Sequence, residues 1–174
     1  MRRAVFLDRD GTIMEEVGYC SDPAQVLVYD GAREAIQRLR DAGFLIVVIT
    51  NQSGIGHGFI TEPQYRKVHA EMIGQLHPVP IDAVYYSTET PENASPRRKP
   101  NPGMVLEAQA EFDIDLPRSY FVGDRAGDVE CGRNSGTRTV LVDTGYGLQT
   151  AECSPDFRAK DLVEAAAWIL KDSQ

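Results

Sequence analysis

Four short stretches of the chain hold residue types that act together on phosphate. Asp8-Arg9-Asp10-Gly11-Thr12 carries two carboxylates two positions apart, next to a glycine and a hydroxyl. Thr50-Asn51-Gln52-Ser53-Gly54 offers hydroxyls and amides, and Arg97-Arg98-Lys99-Pro100 offers cations. Gly123-Asp124-Arg125-Ala126-Gly127-Asp128 returns two more carboxylates. The chemistry that fits this set is phosphoryl transfer to water through a carboxylate, which attacks phosphorus to form an aspartyl phosphate. A dianionic phosphate repels a carboxylate, so a divalent cation must bridge them. Mg²⁺ suits an all-oxygen site with few protein ligands. Asp8 and Asp124 are the candidate carboxylates. Thr50, the Asn51 backbone and Lys99 are candidates for the remaining phosphate oxygens. Asp10 is placed to protonate a departing alkoxide, and Gly11 lets the backbone turn sharply beside it.

These stretches work jointly only if the fold gathers them. Ala4–Leu7 is an apolar run ending at Asp8. Ala32–Ala42 sets Ala32, Ala35, Ile36 and Leu39 at helical spacing, and Gly43 stops the helix. Leu45–Ile49 reads as a buried strand. Thr61-Glu62-Pro63 opens a helix with Thr61 as N-cap, running to about His77. Strands are predicted at Ile81–Ser87, Ser119–Gly123 and Arg138–Asp143. Helices are predicted from Asn101-Pro102 to about Phe112, over Ala126–Ser135 with a stop at Gly136, and over Ala159–Leu170. This strand–helix alternation predicts an α/β fold, a doubly wound parallel sheet in a three-layer α/β/α sandwich. Ligands of such sheets sit beyond the carboxyl ends of the strands, where the four stretches lie. The gaps between them are too short for a cap domain, which predicts an open mouth.

The chain has 174 residues, 42% hydrophobic and 25% charged, which predicts one globular domain over residues 1–174. Its 18 basic and 26 acidic residues give a net charge of −8. That argues against a nucleic-acid partner, whose affinity comes from neutralised phosphates, and against an anionic membrane surface. An anionic small substrate requires local positive groups to overrule the global field. Three widely spaced cysteines, Cys20, Cys131 and Cys153, read as reduced thiols of a cytoplasmic protein, and neither a signal peptide nor a membrane span is expected. With no long exposed apolar helix face, a monomer is expected. Gly54-x-Gly56-x-Gly58 misses the dinucleotide fingerprint because position 59 is Phe59, and reads as a flexible loop near the mouth. His57, His69 and His77 lack metal-ligand company, and Trp168 reads as a core anchor.

Phe6-Leu7-Asp8-Arg9-Asp10-Gly11-Thr12 resembles the first motif of the haloacid dehalogenase superfamily of phosphatases. Thr50, Lys99 and Asp124/Asp128 resemble its second, third and fourth motifs, in order. The resemblance runs from about Ala4 to Thr144. Gly18-Tyr19, Val48–Ile55, Tyr85-Tyr86, Arg98-Lys99-Pro100 and Pro102-Gly103-Met104 are similar to the D-glycero-D-manno-heptose 1,7-bisphosphate phosphatase branch, and to its histidinol-phosphate relatives. The resemblance implies Asp8 as nucleophile and Asp10 as general acid/base. Thr50 and Lys99 hold the phosphoryl group. Mg²⁺ is held by Asp8, the Asp10 carbonyl and Asp124. Substrate contacts are expected from Glu16, Val17, Gly18, Tyr19, Asn51, Gln52, Ser53, Arg98 and Arg125, with Asp128 orienting Lys99 or a metal-bound water. The implied substrate is a small phosphorylated sugar, through the C7 phosphate of the heptose bisphosphate in bacterial heptose-precursor synthesis.

That branch often carries a zinc loop of Cys-x-His and Cys-x-Cys. Here the matching positions are Ser87, Glu89, Ser95 and Arg97, so no zinc is expected. Three other readings stand beside this one. They are another sugar-phosphate or histidinol-phosphate specificity, a phosphoryl-accepting signalling module, and an anion-binding protein without turnover. The module reading is opposed by the acidic pair, which follows the first strand, not the third.

Overall fold

The computed structural model describes residues 1–150 and 153–174. Its elements follow the apolar runs and caps in turn: β1 (Ala4–Leu7), α1 (Ala32–Asp41), β2 (Leu45–Asn51), α2 (Ser53–Gly56), α3 (Glu62–Leu76) and β3 (Ala83–Ser87). Then come α4 (Gly103–Phe112), β4 (Tyr120–Gly123), α5 (Ala126–Ser135), β5 (Arg138–Val142), β6 (Phe157–Ala159) and α6 (Leu162–Asp172). Helix starts and stops have local causes. Thr61 Oγ1 accepts the Gln64 N–H at 3.3 Å while Gln64 Oε1 accepts the Thr61 N–H at 2.8 Å, a capping box that opens α3. Past α1, Gly43 takes φ 87°, a turn that suits a residue without Cβ.

All six strands are parallel in the order β3-β2-β1-β4-β5-β6. Alternate strand residues face opposite layers. Val5, Leu7, Ile46, Val48, Val122, Val140 and Val142 meet α1, α3 and α6. Ala4, Phe6, Leu45, Val47, Ile49 and Phe121 meet α4 and Cys131 of α5. Each fully buried Val, Leu, Ile or Phe among them contributes roughly 1.5–3 kcal/mol. The doubly wound, three-layer expectation therefore holds. Strand order reverses between β1 and β4, so a crevice opens at their carboxyl ends.

Two expectations are corrected. The last helix begins at Leu162, not Ala159, because Phe157–Ala159 pairs with β5 as a sixth strand. Three residues are too few to display a period of two. The glycine-rich stretch is partly helical. The His57 N–H donates to the Ser53 carbonyl at 2.9 Å, closing the single turn of α2, and Gly54 is buried against the Tyr19 ring. Between β1 and β2, and between β2 and β3, the chain makes helices, turns and, before α1, the isolated bridges Asp10–Met14 and Met14–Val28.

Candidate active site

Asp8 follows β1 directly and Asp124 follows β4, so the two flank the switch point. Asp128 lies in the first turn of α5 and faces back toward them. Carboxylate oxygens of Asp8, Asp124 and Asp128 lie within 4.8 Å of one another, and all three residues are buried. Lys99 reaches in from the segment after β3. Its Nζ donates to Asp8 Oδ1 at 2.8 Å, to Asp128 Oδ1 at 2.6 Å and to the Ile49 carbonyl at 2.8 Å. Burial opposes the ammonium charge, but Asp128 and Asp8 outweigh it and raise the Lys99 pKa. Burial raises Asp8 well above the usual carboxylate range; Lys99 opposes that shift, and Asp128 and Asp124 add to it. Asp124 is pushed up to about 6, by burial and then by Asp128. Three carboxylates against one ammonium leave an excess of negative charge.

That excess fits a divalent cation. Asp124 Oδ2 accepts the Tyr146 N–H at 2.8 Å, while Asp124 Oδ1 is buried without a hydrogen-bond partner among the described residues. An orphaned carboxylate oxygen costs desolvation energy that a cation would offset. Asp128 differs, since Oδ1 is taken by Lys99 and Oδ2 accepts the Arg125 N–H at 3.1 Å.

Asp10 is held from two sides. Arg9 Nε donates to its Oδ2 at 2.9 Å and Arg9 Nη2 to its Oδ1 at 3.1 Å, a bidentate pair. Gln52 Nε2 donates to Asp10 Oδ2 and to Thr50 Oγ1, both at 2.9 Å. The Thr50 hydroxyl, accepting from Gln52, is thus left with its proton to donate, and Thr50 lines the cavity. Asn51 pairs reciprocally with the Lys99 main chain, at 3.0 and 3.1 Å. The side chains of Gln52 and Asn51, expected at substrate, are engaged in holding Asp10, Thr50 and Lys99.

A cavity of about 450 Å³ opens over these groups. Asp8, Asp10, Thr50 and Lys99 line its floor; Glu16, Gly18, Tyr19, Ser53, Arg98 and Arg125 line its wall. Val17 is the exception among the expected contacts. It lies outside the lining and is exposed, because its neighbour Gly18 turns the chain at φ 79°. Tyr19 instead packs at a tilt of 53° against Phe59, centroids 5.0 Å apart, and Phe59 stacks on His57 at 5.3 Å.

Sequence reasoning missed Arg9, Thr144 and Tyr146. Arg9 is almost wholly buried, between Asp10 and the Tyr65 ring. Thr144 Oγ1 donates to the Gly11 carbonyl at 2.6 Å, and the Tyr146 ring carries the Arg125 guanidinium at 4.1 Å. Both residues follow β5, where no run of acids, amides or cations marks the strand end. Cys20 and Cys131 are buried free thiols, and burial raises the pKa of each.

Comparison with known proteins agrees with this geometry. The HAD-hydrolase-like family model matches residues 96–165. The D-glycero-D-manno-heptose-1,7-bisphosphate 7-phosphatase of Thermosynechococcus vestitus is 36% identical over 97% of this chain and 95% of its own. The Escherichia coli K12 D-glycero-beta-D-manno-heptose-1,7-bisphosphate 7-phosphatase is 36% identical over 98% and 95%. The crystal structure of the D,D-heptose 1,7-bisphosphate phosphatase of B. bronchiseptica, complexed with magnesium and phosphate, superposes with a TM-score of 0.90. It is 28% identical and covers 98% of this chain and 99% of that one. The chain belongs to the D-glycero-D-manno-heptose-1,7-bisphosphate 7-phosphatase family of haloacid-dehalogenase-like hydrolases, which are phosphoric monoester hydrolases.

Proposed function

We propose that this chain is a Mg²⁺-dependent phosphatase that removes the C7 phosphate of D-glycero-D-manno-heptose 1,7-bisphosphate through an aspartyl phosphate. The observation that carries the mechanism is the Lys99 ammonium bonded to both Asp8 and Asp128 on a buried floor of three carboxylates. Asp8, Asp124 and the Asp10 carbonyl would hold the ion. When bound, Mg²⁺ neutralises the repulsion between phosphate and Asp8 and polarises the phosphoryl oxygens. Asp8 attacks phosphorus, the bond to the C7 oxygen breaks, and that oxygen takes its proton from Asp10. A water then gives a proton to Asp10 and attacks the same phosphorus, releasing inorganic phosphate and Asp8. Arg9 and Gln52 keep Asp10 oriented through both steps. Thr50 and Lys99 hold the oxygens that gain charge in each transition state.

The substrate assignment rests on the relatives' names and on the rim. Arg98 and Arg125 are the cationic side chains of the cavity lining outside the floor, and they suit the second phosphate or the sugar hydroxyls. Residues 1–174 act on this reading as one monomeric, cytoplasmic phosphatase domain without zinc. The test is phosphate release, with Mg²⁺ and with EDTA, from both heptose bisphosphate anomers, histidinol phosphate and several sugar phosphates. A heptose rate orders of magnitude above the rest is expected and fixes the anomer. Equal low rates across the panel would discard the substrate and keep the chemistry.

A further inference from the structure

The segment between β3 and Lys99 carries Arg98 to the mouth, yet almost no apolar burial holds it there. Residues 91–94 are exposed, in a short turn at Pro91–Asn93. Hydrogen bonds close the segment instead. Both carboxylate oxygens of Glu89 accept from Ser95, one from its N–H at 2.7 Å and the other from its Oγ at 2.6 Å. Ser95 Oγ accepts the Arg97 N–H at 3.1 Å, and Asn101 Nδ2 donates to the Ser95 carbonyl at 2.9 Å. Ser87 Oγ accepts the Glu89 N–H at 3.3 Å. The residue that closes the loop also holds the arginine, since Arg98 Nη1 donates to the Glu89 carbonyl at 2.8 Å.

Ser87, Glu89, Ser95 and Arg97 are the positions at which the resemblance implies zinc ligands. Two hydroxyls, one carboxylate and a guanidinium do not suit tetrahedral zinc, and both Glu89 oxygens are already engaged. These positions bond to one another directly.

We propose that Glu89 and Ser95 form a metal-free clasp whose purpose is to position Arg98 against the far end of the substrate. Glu89 is a positioning residue on this view, acting only through Arg98. Its link to the sugar or second phosphate rests on the substrate reading above; the clasp itself does not. Its hydrogen bonds also hold the Glu89 carboxyl below the usual range.

The experiment uses the full chain with Mg²⁺. In Glu89→Gln the side chain keeps its size but loses one acceptor, because an amide nitrogen cannot accept the Ser95 N–H. KM for the heptose bisphosphate is expected to rise about tenfold with kcat within twofold. Para-nitrophenyl phosphate offers nothing to Arg98, so both of its constants should stay put. Ser95→Ala should repeat the pattern more weakly. Combined with Arg98→Ala, Glu89→Gln should add almost nothing, since the two act as one unit. Additive losses, equal losses on both substrates, or no change would each overturn the clasp. Amide exchange separates the clasp from the substrate reading. Glu89→Gln should lose protection at Ser95 and Arg97 while β3 keeps its own. Unchanged exchange refutes the clasp even if the bisphosphate is the substrate. Lost protection supports it even if wild-type enzyme ignores that sugar.

Discussion

Apart from Asp10, the floor consists of Asp8, Thr50, Lys99, Asp124 and Asp128, none more than 7% exposed. Every one lies at a strand end, in the first turn of the helix that follows a strand, or one bond away from such a group. Tyr19, Phe59, Arg98 and Arg125 form a rim on turns, with Tyr19 51% and Phe59 64% exposed. The floor is positioned by a six-stranded sheet whose register is fixed by apolar burial. The rim is positioned by a few side-chain contacts, such as Arg98 on the Glu89 carbonyl and Arg125 on the Tyr146 ring and Glu16. A rigid floor preorganises charge for the transition state. A rim held this lightly selects what stands above it. Damage to the floor should therefore appear in kcat, and damage to the rim in KM.

The largest effect tests the floor. Asp8→Asn keeps the shape but replaces the attacking carboxylate with a poor nucleophile, and phosphate release at saturating substrate should fall at least a thousandfold, roughly 4 kcal/mol of barrier. A variant within tenfold of wild type would remove the nucleophile from Asp8. Gly11→Ala comes next and reaches the floor through the backbone. Gly11 has φ 82°, and an added Cβ would sit inside contact distance of the Asp124 carboxylate. Displacing Asp124 should raise the Mg²⁺ concentration for half-maximal activity by tenfold or more, on the order of 1.4 kcal/mol. An unchanged Mg²⁺ titration would exclude Asp124 from the metal site.

Arg98→Ala tests the rim with a smaller effect. KM for the heptose bisphosphate should rise about tenfold while kcat falls much less, as expected when a contact is shared by ground and transition states. If kcat fell as far as KM rose, floor and rim would be one device and the contrast drawn here would fail.

The same contrast governs what could be read in the sequence. Asp8, Thr50 and Asp124 follow apolar runs that announce a buried strand, so the topology alone places them at one mouth. The parallel sheet and the helices on both of its faces followed for the same reason. Gln52 and Asn51 were placed near the site, but not their partners: an amide beside Asp10 and Thr50 looks identical in sequence to one that faces substrate. Val17 was misplaced because the turn at Gly18 decides which way its neighbours point. β6 was missed because three residues show no periodicity. Arg9 was missed because a buried arginine has no hydropathic signature, and its burial makes sense only once Asp10 and Tyr65 are seen around it.

The smallest predicted effect concerns pH, and it separates floor from rim once more. His69 on α3 stacks on Tyr65, centroids 6.0 Å apart, and Tyr65 in turn lies under the Arg9 guanidinium that grips Asp10. Burial, then the positive charge of Arg9, lowers the His69 pKa from 6.5 to about 4. A histidine depressed in the folded state takes up its proton first in the unfolded chain. Its contribution is therefore present above pH 6.5 and lost as pH falls toward 4. After solvent screening that loss should be about 1–2 kcal/mol. Asp8 and Asp124 work in the opposite sense. With raised folded pKa values they favour the fold below the ordinary carboxylate range and lose that contribution as pH rises, Asp124 up to about 6. Both act equally in wild type and in His69→Gln, so the difference between the two proteins isolates the histidine. Urea unfolding at pH 7.5 and pH 5 should show a smaller acid-side loss in His69→Gln, while Arg98→Ala should track wild type, because a guanidinium stays charged at both pH values. Equal pH dependence in all three proteins would show that the support beneath Asp10 is as solvent-exposed as the rim, and the two regions would then differ in position alone.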